Sequence, residues 1–269
     1  MKKKIYVGCS GFSYREWRGI FYPQNMPKER WLEHYKKYFS ILELNFSFYK
    51  FPSQSITKNL VLKAPHLKFS VKVHQKFTHL RKYTREDIEF FVKGLEPIVQ
   101  RGNLIALLFQ FPESFGMKEE NWEYLENLHY GFVEFPQAFE FRNKSWMNRE
   151  FFRWLDERNI TLVNIDAPKE IGWPVGPWVS IGEFNYIRLH GRNAKKMYDY
   201  LYSEEELEEL LKKVLKIYQN KPTYIFFNNT VGAKCVANAI KFKMMLGVWN
   251  ENIPIPNGIK RMWITKEFE

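Results

Sequence analysis

The chain alternates between short apolar runs and longer stretches in which apolar residues recur every three or four positions. The short runs predict β-strands and the longer stretches predict amphipathic helices. The run Leu104–Phe111 is almost continuously apolar, as in a strand buried on both faces of a parallel sheet. In order, the predicted strands are Ile5–Cys9, Ile41–Asn45, Lys68–His74, Leu104–Phe111, a fifth ending in Phe139–Arg142, Ile160–Asp166, a seventh at Tyr186–His190, and Pro222–Phe227.

Helix signals follow most of these strands. Thr84 and Ser203 each precede an amphipathic stripe and are typical N-cap residues. The segment 167–184 is rich in proline and glycine and has no helical stripe, so it predicts a long loop with at most a helical turn. Eight strands, mostly followed by helices, predict one α/β domain over residues 1–269: a single (β/α)8 TIM-type barrel with an irregular sixth βα unit. The C-terminal tail, about 247–269, is expected to pack on the barrel.

Polar residues gather at the carboxyl ends of the predicted strands. Residues two apart on a strand share a face, so Arg188 and His190 lie on one face while Ile187 and Leu189 lie on the other. In a barrel of this kind the carboxyl ends of the strands form one mouth, where active sites lie. From the second strand to the eighth, the polar residues at these ends are Glu43, Asn45, Lys72, His74, Gln110, Glu140, Arg142, Asn164, Asp166, Arg188, His190 and Asn228.

This collection has two interpretations, an ion-pair lattice that stabilises the barrel and a ligand site. A lattice would not need to gather at one end, so the pattern favours a functional cavity. Lys72, Arg142 and Arg188 suit the binding of a phosphate or carboxylate. The candidate catalytic residues are His190, Glu140, Asp166 and Glu43. The remaining candidates for ligand contact are Asn45, His74, His79, Gln110, Asn228, Trp146, Tyr49 and Tyr200.

Composition favours an anionic ligand with flat rings. Aromatic residues make up 18% of the chain, and many fall in the loops that follow the strands. Together with the cations they suit a nucleotide or nucleic acid, although sugars use the same aromatic surfaces. The formal net charge of +11 also favours anionic partners. The alternative is a lysine-rich solvated surface, since the lysines are spread along the chain.

Other classes of site have weaker signals. No HxxxH, HxH or CxxC spacing is present, so no metal ligand is assigned and no cofactor is firmly implied. The carboxylates and histidines at the strand ends are nevertheless residue types that can bind a divalent metal. Cys9 and Cys235 are expected to be two unpaired buried thiols. No apolar run approaches the roughly 20 residues of a membrane helix, which predicts a cytoplasmic protein with no membrane partner.

Several stretches together resemble the YecE-like family, which is named only as a domain of unknown function. They are Gly8–Phe12 with Trp17 and Phe21–Pro23, Glu43–Asn45 with Phe48–Tyr49, Thr78–His79, Gln110–Pro112, Glu140–Arg142 with Trp146, Asp166, Arg188–Gly191 and Phe227–Asn229. Two positions depart from the family pattern, Ser47 and Cys9, where threonine is common. The resemblance implies a single TIM-type barrel and no settled reaction.

These observations lead to a hypothesis of an enzyme that acts on a phosphate-bearing or nucleic-acid ligand by hydrolysis. Arg188, with Arg142 and Lys72, is expected to hold the anion, and His190 is expected to be the acid or base. Alanine at positions 188 and 190 is then expected to abolish binding with little change in melting temperature. The alternatives are a sugar isomerase or lyase, and a non-catalytic protein that binds nucleic acid or another anionic partner.

Overall fold

The computed structural model describes residues 4–176 and 178–265. Eight parallel strands pair in chain order and the eighth pairs with the first, so the sheet closes into a barrel. This confirms the predicted TIM-type fold. The strands are β1 Ile5–Ser10, β2 Ile41–Leu44, β3 Lys68–Lys72, β4 Leu104–Phe111, β5 Gln137–Phe141, β6 Thr161–Asp166, β7 Asn185–Leu189 and β8 Thr223–Phe227.

Helices surround the barrel. They are α1 Trp31–Tyr35, α2 Gln54–Lys63, α3 Gln75–Thr78, α4 Arg85–Gln100, α5 Glu119–Gly131, α6 Arg149–Glu157, α7 Glu204–Ile217, α8 Lys234–Met245 and α9 Asn257–Thr265. Short 3-10 turns lie at Arg15–Trp17, Lys28–Arg30, Phe46–Phe48, Lys144–Trp146, Lys169–Ile171 and Val231–Ala233. The N-caps predicted at Thr84 and Ser203 are present, and each completes a capping box with an acidic residue three positions later.

Four strands, β2, β3, β5 and β7, end one or two residues earlier than the sequence pattern predicts, and beyond β2 and β3 the chain enters a turn. Asn45 leaves β2 with helical backbone angles, φ −106° and ψ −13°, and opens a 3-10 turn. His74 lies beyond β3, and its ring Nδ1 accepts a hydrogen bond from the backbone N–H of Lys76, which makes it the N-cap of α3. In both cases a local hydrogen-bonded turn takes over from the strand.

The irregular unit after β6 agrees with the prediction. Between β6 and β7 the described residues contain one 3-10 turn, Lys169–Ile171, and no α-helix. Gly172 follows this turn with φ +74°, a conformation that glycine adopts without steric cost. The chain then carries Trp173 back over the carboxyl end of the barrel, where the side chain is buried.

Register decides which side chains enter the barrel. Neighbours paired in a parallel sheet share a face, and Arg188 on β7 pairs with Ile165 on β6 and with Phe226 on β8. These residues point inward, above an apolar floor of side chains such as Ala138 and Phe184. The opposite face of each strand packs against the helices and forms the main hydrophobic core.

Other parts of the chain complete the fold. Cys9 and Cys235 are both buried and free, as predicted. Near the C-terminal end, Ile259 of α9 is buried, and a Cβ at Gly258 would meet the backbone of Ile20 at 2.4–2.8 Å, so the two backbones pack closely. Within the residues that the structure describes, no helix is both long and apolar enough to cross a membrane.

Candidate active site at the barrel mouth

Arg188 is the centre of the polar cluster at the carboxyl end of the strands. Its Nε and Nη2 donate to the two oxygens of Glu43 at 3.0 and 2.8 Å, and its Nη1 donates to Glu140 at 2.5 Å. Glu43 is on β2 and Glu140 is on β5, so the guanidinium crosses the barrel from β7 and joins two distant strands. All three side chains are almost completely buried. Burial alone would lower the pKa of Arg188, but Glu140 and Glu43 outweigh it and raise that pKa.

Glu43 is held by further hydroxyl groups. Ser10 donates to Oε1 at 2.6 Å and Tyr186 donates to Oε2 at 2.7 Å. The Tyr186 hydroxyl also lies 2.7 Å from Ser70 Oγ. Together with the bidentate arginine, these contacts satisfy both carboxylate oxygens, as a buried charge requires.

A second arginine lies closer to solvent. Arg142 Nε is 3.3 Å from Glu140 Oε1, and its guanidinium carbon lies 3.7 Å from the centroid of the Trp173 ring. Trp173 in turn donates from its indole nitrogen to Glu113, which follows β4. The loop after β6 therefore covers the mouth with an indole that stacks on Arg142. Burial alone would raise the pKa of Glu140, but the positive charges of Arg188 and Arg142 outweigh it and lower that pKa.

His190 is completely buried beside these charges. Burial, followed by the positive charge of Arg188, lowers its pKa well below the ordinary value, so the ring is neutral at pH 7. Asn228 Nδ2 lies 3.0 Å from Nδ1. Because an amide nitrogen only donates, Nδ1 accepts and the hydrogen is on Nε2, which is 3.9 Å from Glu140 Oε1. In this state His190 Nε2 is a buried hydrogen-bond donor with no partner among the described residues.

Lys72 is the third cationic side chain of the cluster. Its Nζ donates to Gln110 Oε1 at 2.9 Å and lies 4.0 Å from the centroid of the Phe48 ring. Burial and the charge of Arg188 lower its pKa from 10.5 to about 7. Both protonation states of this amine are therefore populated near neutral pH.

Seven buried polar atoms have no hydrogen-bond partner among the described residues, and three of them lie at the carboxyl ends of the strands: Asn45 Oδ1, Gln110 Nε2 and His190 Nε2. They belong to side chains at the ends of β2, β4 and β7. Buried polar groups in folded proteins are nearly always paired, so a water molecule or a ligand is the expected partner of each of these three atoms. The set includes two N–H donors and one carbonyl acceptor.

Asp166 was predicted to belong to this site, and the structure places it elsewhere. Asp166 pairs in register with Leu189, an outward position, while Ile165 shares the inward face with Arg188. Its carboxylate accepts from Arg192 at 2.9 and 3.0 Å and from the Tyr202 hydroxyl at 2.8 Å. Asn164 also faces outward and bonds to the backbone of Val179. Both residues anchor loops behind the barrel wall.

Three other predicted ligand contacts also have structural partners outside the cluster. Trp146 is buried in the helix-facing core, where its indole donates to the Phe115 carbonyl at 2.7 Å. Tyr200 donates to Glu206 at 2.6 Å on α7. His74 packs edge-on against Phe51 and serves as the helix cap described above. None of these three is brought to the Arg188 cluster by the contacts that the structure describes.

Two predicted residues lie at the rim. His79 packs edge-on against Phe48, the ring that contacts Lys72, and its pKa is lowered to about 4 by burial and by the charges of Lys72 and Arg142. Tyr49 also packs edge-on against Phe48 and is 74% exposed. The rim is therefore aromatic beside Lys72.

Sequence reasoning missed Ser10, Ser70, Tyr186 and Trp173 as parts of the site. The first three occupy inward positions one layer below or beside Glu43, and the alternation that places Arg188 and His190 on one face of the strand also places Tyr186 there. Trp173 comes from a segment without periodicity, so only its aromatic character within a proline-rich loop was available as a signal. Among the described residues, no group of three or more His, Cys, Asp or Glu side chains is placed to hold a metal ion.

The fold and the site together define a TIM-type barrel with a buried, charged cluster at the carboxyl ends of its strands. The family model described as "Protein of unknown function DUF72" matches residues 6–260. The chain belongs to this family, which confirms the YecE-like resemblance.

Known relatives agree with this assignment. "UPF0759 protein YunF" from Bacillus subtilis (strain 168) is 27% identical over 280 residues, covering 91% of this chain and 95% of that protein. The crystal structure of a DUF72 family protein (TM1631) from Thermotoga maritima MSB8 has a TM-score of 0.82 and 36% identity, covering 90% of this chain and 99% of the other. A DUF72 family protein (EF0366) from Enterococcus faecalis V583 has a TM-score of 0.78 and 26% identity, covering 91% and 98%. None of these names states a reaction.

Proposed function

We propose that the protein is an enzyme that binds a phosphate-bearing ligand at the barrel mouth and hydrolyses it. The observation that carries the proposal is the set of three unpartnered buried atoms on Asn45, Gln110 and His190. Each buried group left unsatisfied costs about 1–3 kcal/mol, so three of them gathered at one end of the barrel favour a ligand that pairs with them. A ligand that offers several oxygens would pair with the two N–H donors, and its protonated or hydroxyl oxygen would pair with the Asn45 carbonyl.

The geometry changes the role of the two arginines. Arg188 is committed to Glu43 and Glu140 and is only 2% exposed, so its part is to hold both carboxylates in place. Arg142 uses Nε for Glu140 and is 17% exposed, which leaves the terminal amino groups of its fork as the side that a phosphate would contact. Lys72 supplies the second cation when it is protonated.

Hydrolysis also needs a group that accepts the proton of the attacking water. Glu140 is a weak base because its pKa is lowered, and His190 Nε2 already carries a hydrogen. Lys72, with a pKa of about 7, suits proton transfer near neutral pH. We therefore assign that role to Lys72 in place of His190.

A matched pair of arginine variants tests the proposal. Arg142 and Arg158 are both partly buried, both pair with a glutamate and both stack on a tryptophan, but Arg158 follows the end of α6 and its described contacts lie away from the mouth. Calorimetric titration with inorganic phosphate should show that Arg142→Ala weakens binding by about tenfold or more, as expected for loss of one charged hydrogen-bonding partner. Arg158→Ala should bind like the unsubstituted protein. The rate of hydrolysis of bis(p-nitrophenyl) phosphate should likewise fall in Arg142→Ala and stay unchanged in Arg158→Ala.

Other outcomes would contradict the proposal. Equal phosphate affinity in the two variants would mean that the mouth does not hold the anion. Binding of a single-stranded oligonucleotide that weakens with salt and survives Arg142→Ala would instead support a non-catalytic basic surface.

A lyase or isomerase acting on a phosphorylated sugar is the second candidate function. It is favoured by one observation, that the Lys72 amino group makes no ion pair with a carboxylate among the described residues. An amine held in this way can react with a carbonyl carbon, which a hydrolase does not require.

A further inference from the structure

The position of Lys72 differs from that of every other charged side chain in the cluster. Its Nζ is bonded to a neutral amide oxygen, that of Gln110, and one side of it is covered by the Phe48 ring. Lys72 is partly exposed, whereas Arg188 and His190 are almost completely buried. A ligand can therefore reach Lys72 more readily than it can reach Arg188 or His190.

The strand end holds the amine in place. The hydroxyl of Ser47, in the turn after β2, donates to the backbone carbonyl of Lys72 at 2.6 Å. Gln110 is next to Glu140 in register and pairs with Nζ from the neighbouring β4. The side chain is thus fixed at both its backbone and its tip, as a reacting group must be for productive attack.

The surroundings disfavour the ammonium form without abolishing it. Burial and the positive charges of Arg188 and Arg142 act against protonation, while Glu140 and Glu43 act for it, and the resulting pKa is about 7. His79, which packs edge-on against the Phe48 ring, is neutral at pH 7 because its own pKa is about 4. About half of the Lys72 side chains are then free amines at pH 7, against roughly one in a few thousand for an ordinary lysine. Desolvation beside another cation is a known way to activate a lysine nucleophile.

We propose that Lys72 is a nucleophilic amine that forms a Schiff base with an aldehyde or ketone substrate that carries a phosphate group. The inference rests on the proposed phosphate contact at Arg142 and deepens the second candidate function, in which Lys72 is a nucleophile and not the base of a hydrolysis. The lone pair of Nζ attacks the carbonyl carbon, forming a C–N bond and breaking the C=O π bond. The two amine hydrogens leave with the carbonyl oxygen as water, so the step needs no further reactant.

Reductive trapping on the full chain tests the proposal. The protein is incubated at pH 7 with dihydroxyacetone phosphate and sodium cyanoborohydride, which converts a Schiff base into a stable secondary amine, and the modified lysines are located by peptide mass spectrometry. Lys68 is the internal control because it is exposed and lies on the same strand. Lys72 should be modified at least about tenfold faster than Lys68 at pH 7, and the ratio should fall toward one at pH 10, where an ordinary lysine is also a free amine.

Two comparisons separate this inference from the proposed function. If the phosphate is held by Arg142, dihydroxyacetone phosphate should modify Lys72 faster than dihydroxyacetone does, and Arg142→Ala should remove that difference. Selective modification of Lys72 with no phosphate preference would support the reactive amine and overturn the phosphate site.

Modification of Lys72 no faster than Lys68, in a protein that binds inorganic phosphate, would overturn the Schiff-base proposal and leave the phosphate site intact. Lys72→Arg serves as the variant control. It keeps a cation at the position and should lose only the modification at residue 72.

Discussion

Replacing Arg188 with methionine keeps much of the side-chain volume and removes the guanidinium that joins Glu43 to Glu140. Both carboxylates are 0% exposed, so each would become a buried charge without its main cation. Breaking a buried ion pair by removing one partner costs about 3–5 kcal/mol. At about 2–4 °C per kcal/mol for a protein of this size, the melting temperature should fall by roughly 6–20 °C. This reverses the expectation from sequence that position 188 could be changed with little loss of stability.

Urea unfolding followed by circular dichroism measures the effect at pH 7. Arg85→Met is the matched control, because Arg85 pairs with Glu89 on the surface, where the two side chains are 88% and 62% exposed. Such surface pairs contribute about 0.2–1 kcal/mol. Adding Glu43→Gln and Glu140→Gln to Arg188→Met should recover part of the loss, because the uncompensated charges are then gone.

The pH dependence gives a second check. In the unsubstituted protein the pKa of Glu140 is lowered on folding, so its contribution to stability is present above its unfolded pKa of about 4.5 and is lost as the pH falls through its folded pKa. Without Arg188, burial dominates and raises the folded pKa above the unfolded one. The Arg188→Met variant should therefore gain stability relative to the unsubstituted protein as the pH falls from 7 to 5. Two results would refute the reasoning about the buried cluster. One is a loss of less than about 1 kcal/mol in the free energy of unfolding of Arg188→Met at pH 7, and the other is a difference between the two proteins that is no smaller at pH 5.

Two further predictions concern Lys72 and Asp166. The folded pKa of Lys72, about 7, lies below its unfolded value near 10.5, so the unfolded chain binds more protons than the folded one between these pH values. The free energy of unfolding should therefore rise from pH 7 to 10 relative to that of Lys72→Met. Equal pH profiles in the two proteins would show that the pKa of Lys72 is not shifted on folding. Asp166→Asn should lower the free energy of unfolding by about 1–3 kcal/mol, because it weakens the hydrogen bonds to Arg192 and Tyr202. It should leave inorganic phosphate affinity unchanged, and a loss of affinity would return Asp166 to the site.

Much of the fold was accessible from the sequence because each strand is a short apolar run and each helix has its own periodicity. The order of elements then leaves few topologies other than a closed parallel barrel. The polar residues at the ends of β2, β3, β4, β5 and β7 could also be placed at the mouth. Their partners could not be assigned, since the pairing of Arg188 with Glu43 and Glu140 depends on distances across the barrel, between residues 145 and 48 positions apart in the chain.

By itself, the sequence determined the barrel, the end of it that carries the charged residues, and the shared face of Arg188 and His190. These features follow from local patterns of period two and 3.6. Only the tertiary structure decided which face of β6 points inward. That strand is buried on both sides, so Asn164 and Asp166 were assigned inward on polarity alone, while the register with β7 turns Ile165 inward instead. It also decided that Arg188 holds two carboxylates, because charges attract strongly in the low dielectric of the interior and the closed barrel brings Glu43 and Glu140 within reach of the guanidinium. Both carboxylates are bound to this arginine, and among the described residues Lys72 pairs with the neutral amide of Gln110 instead.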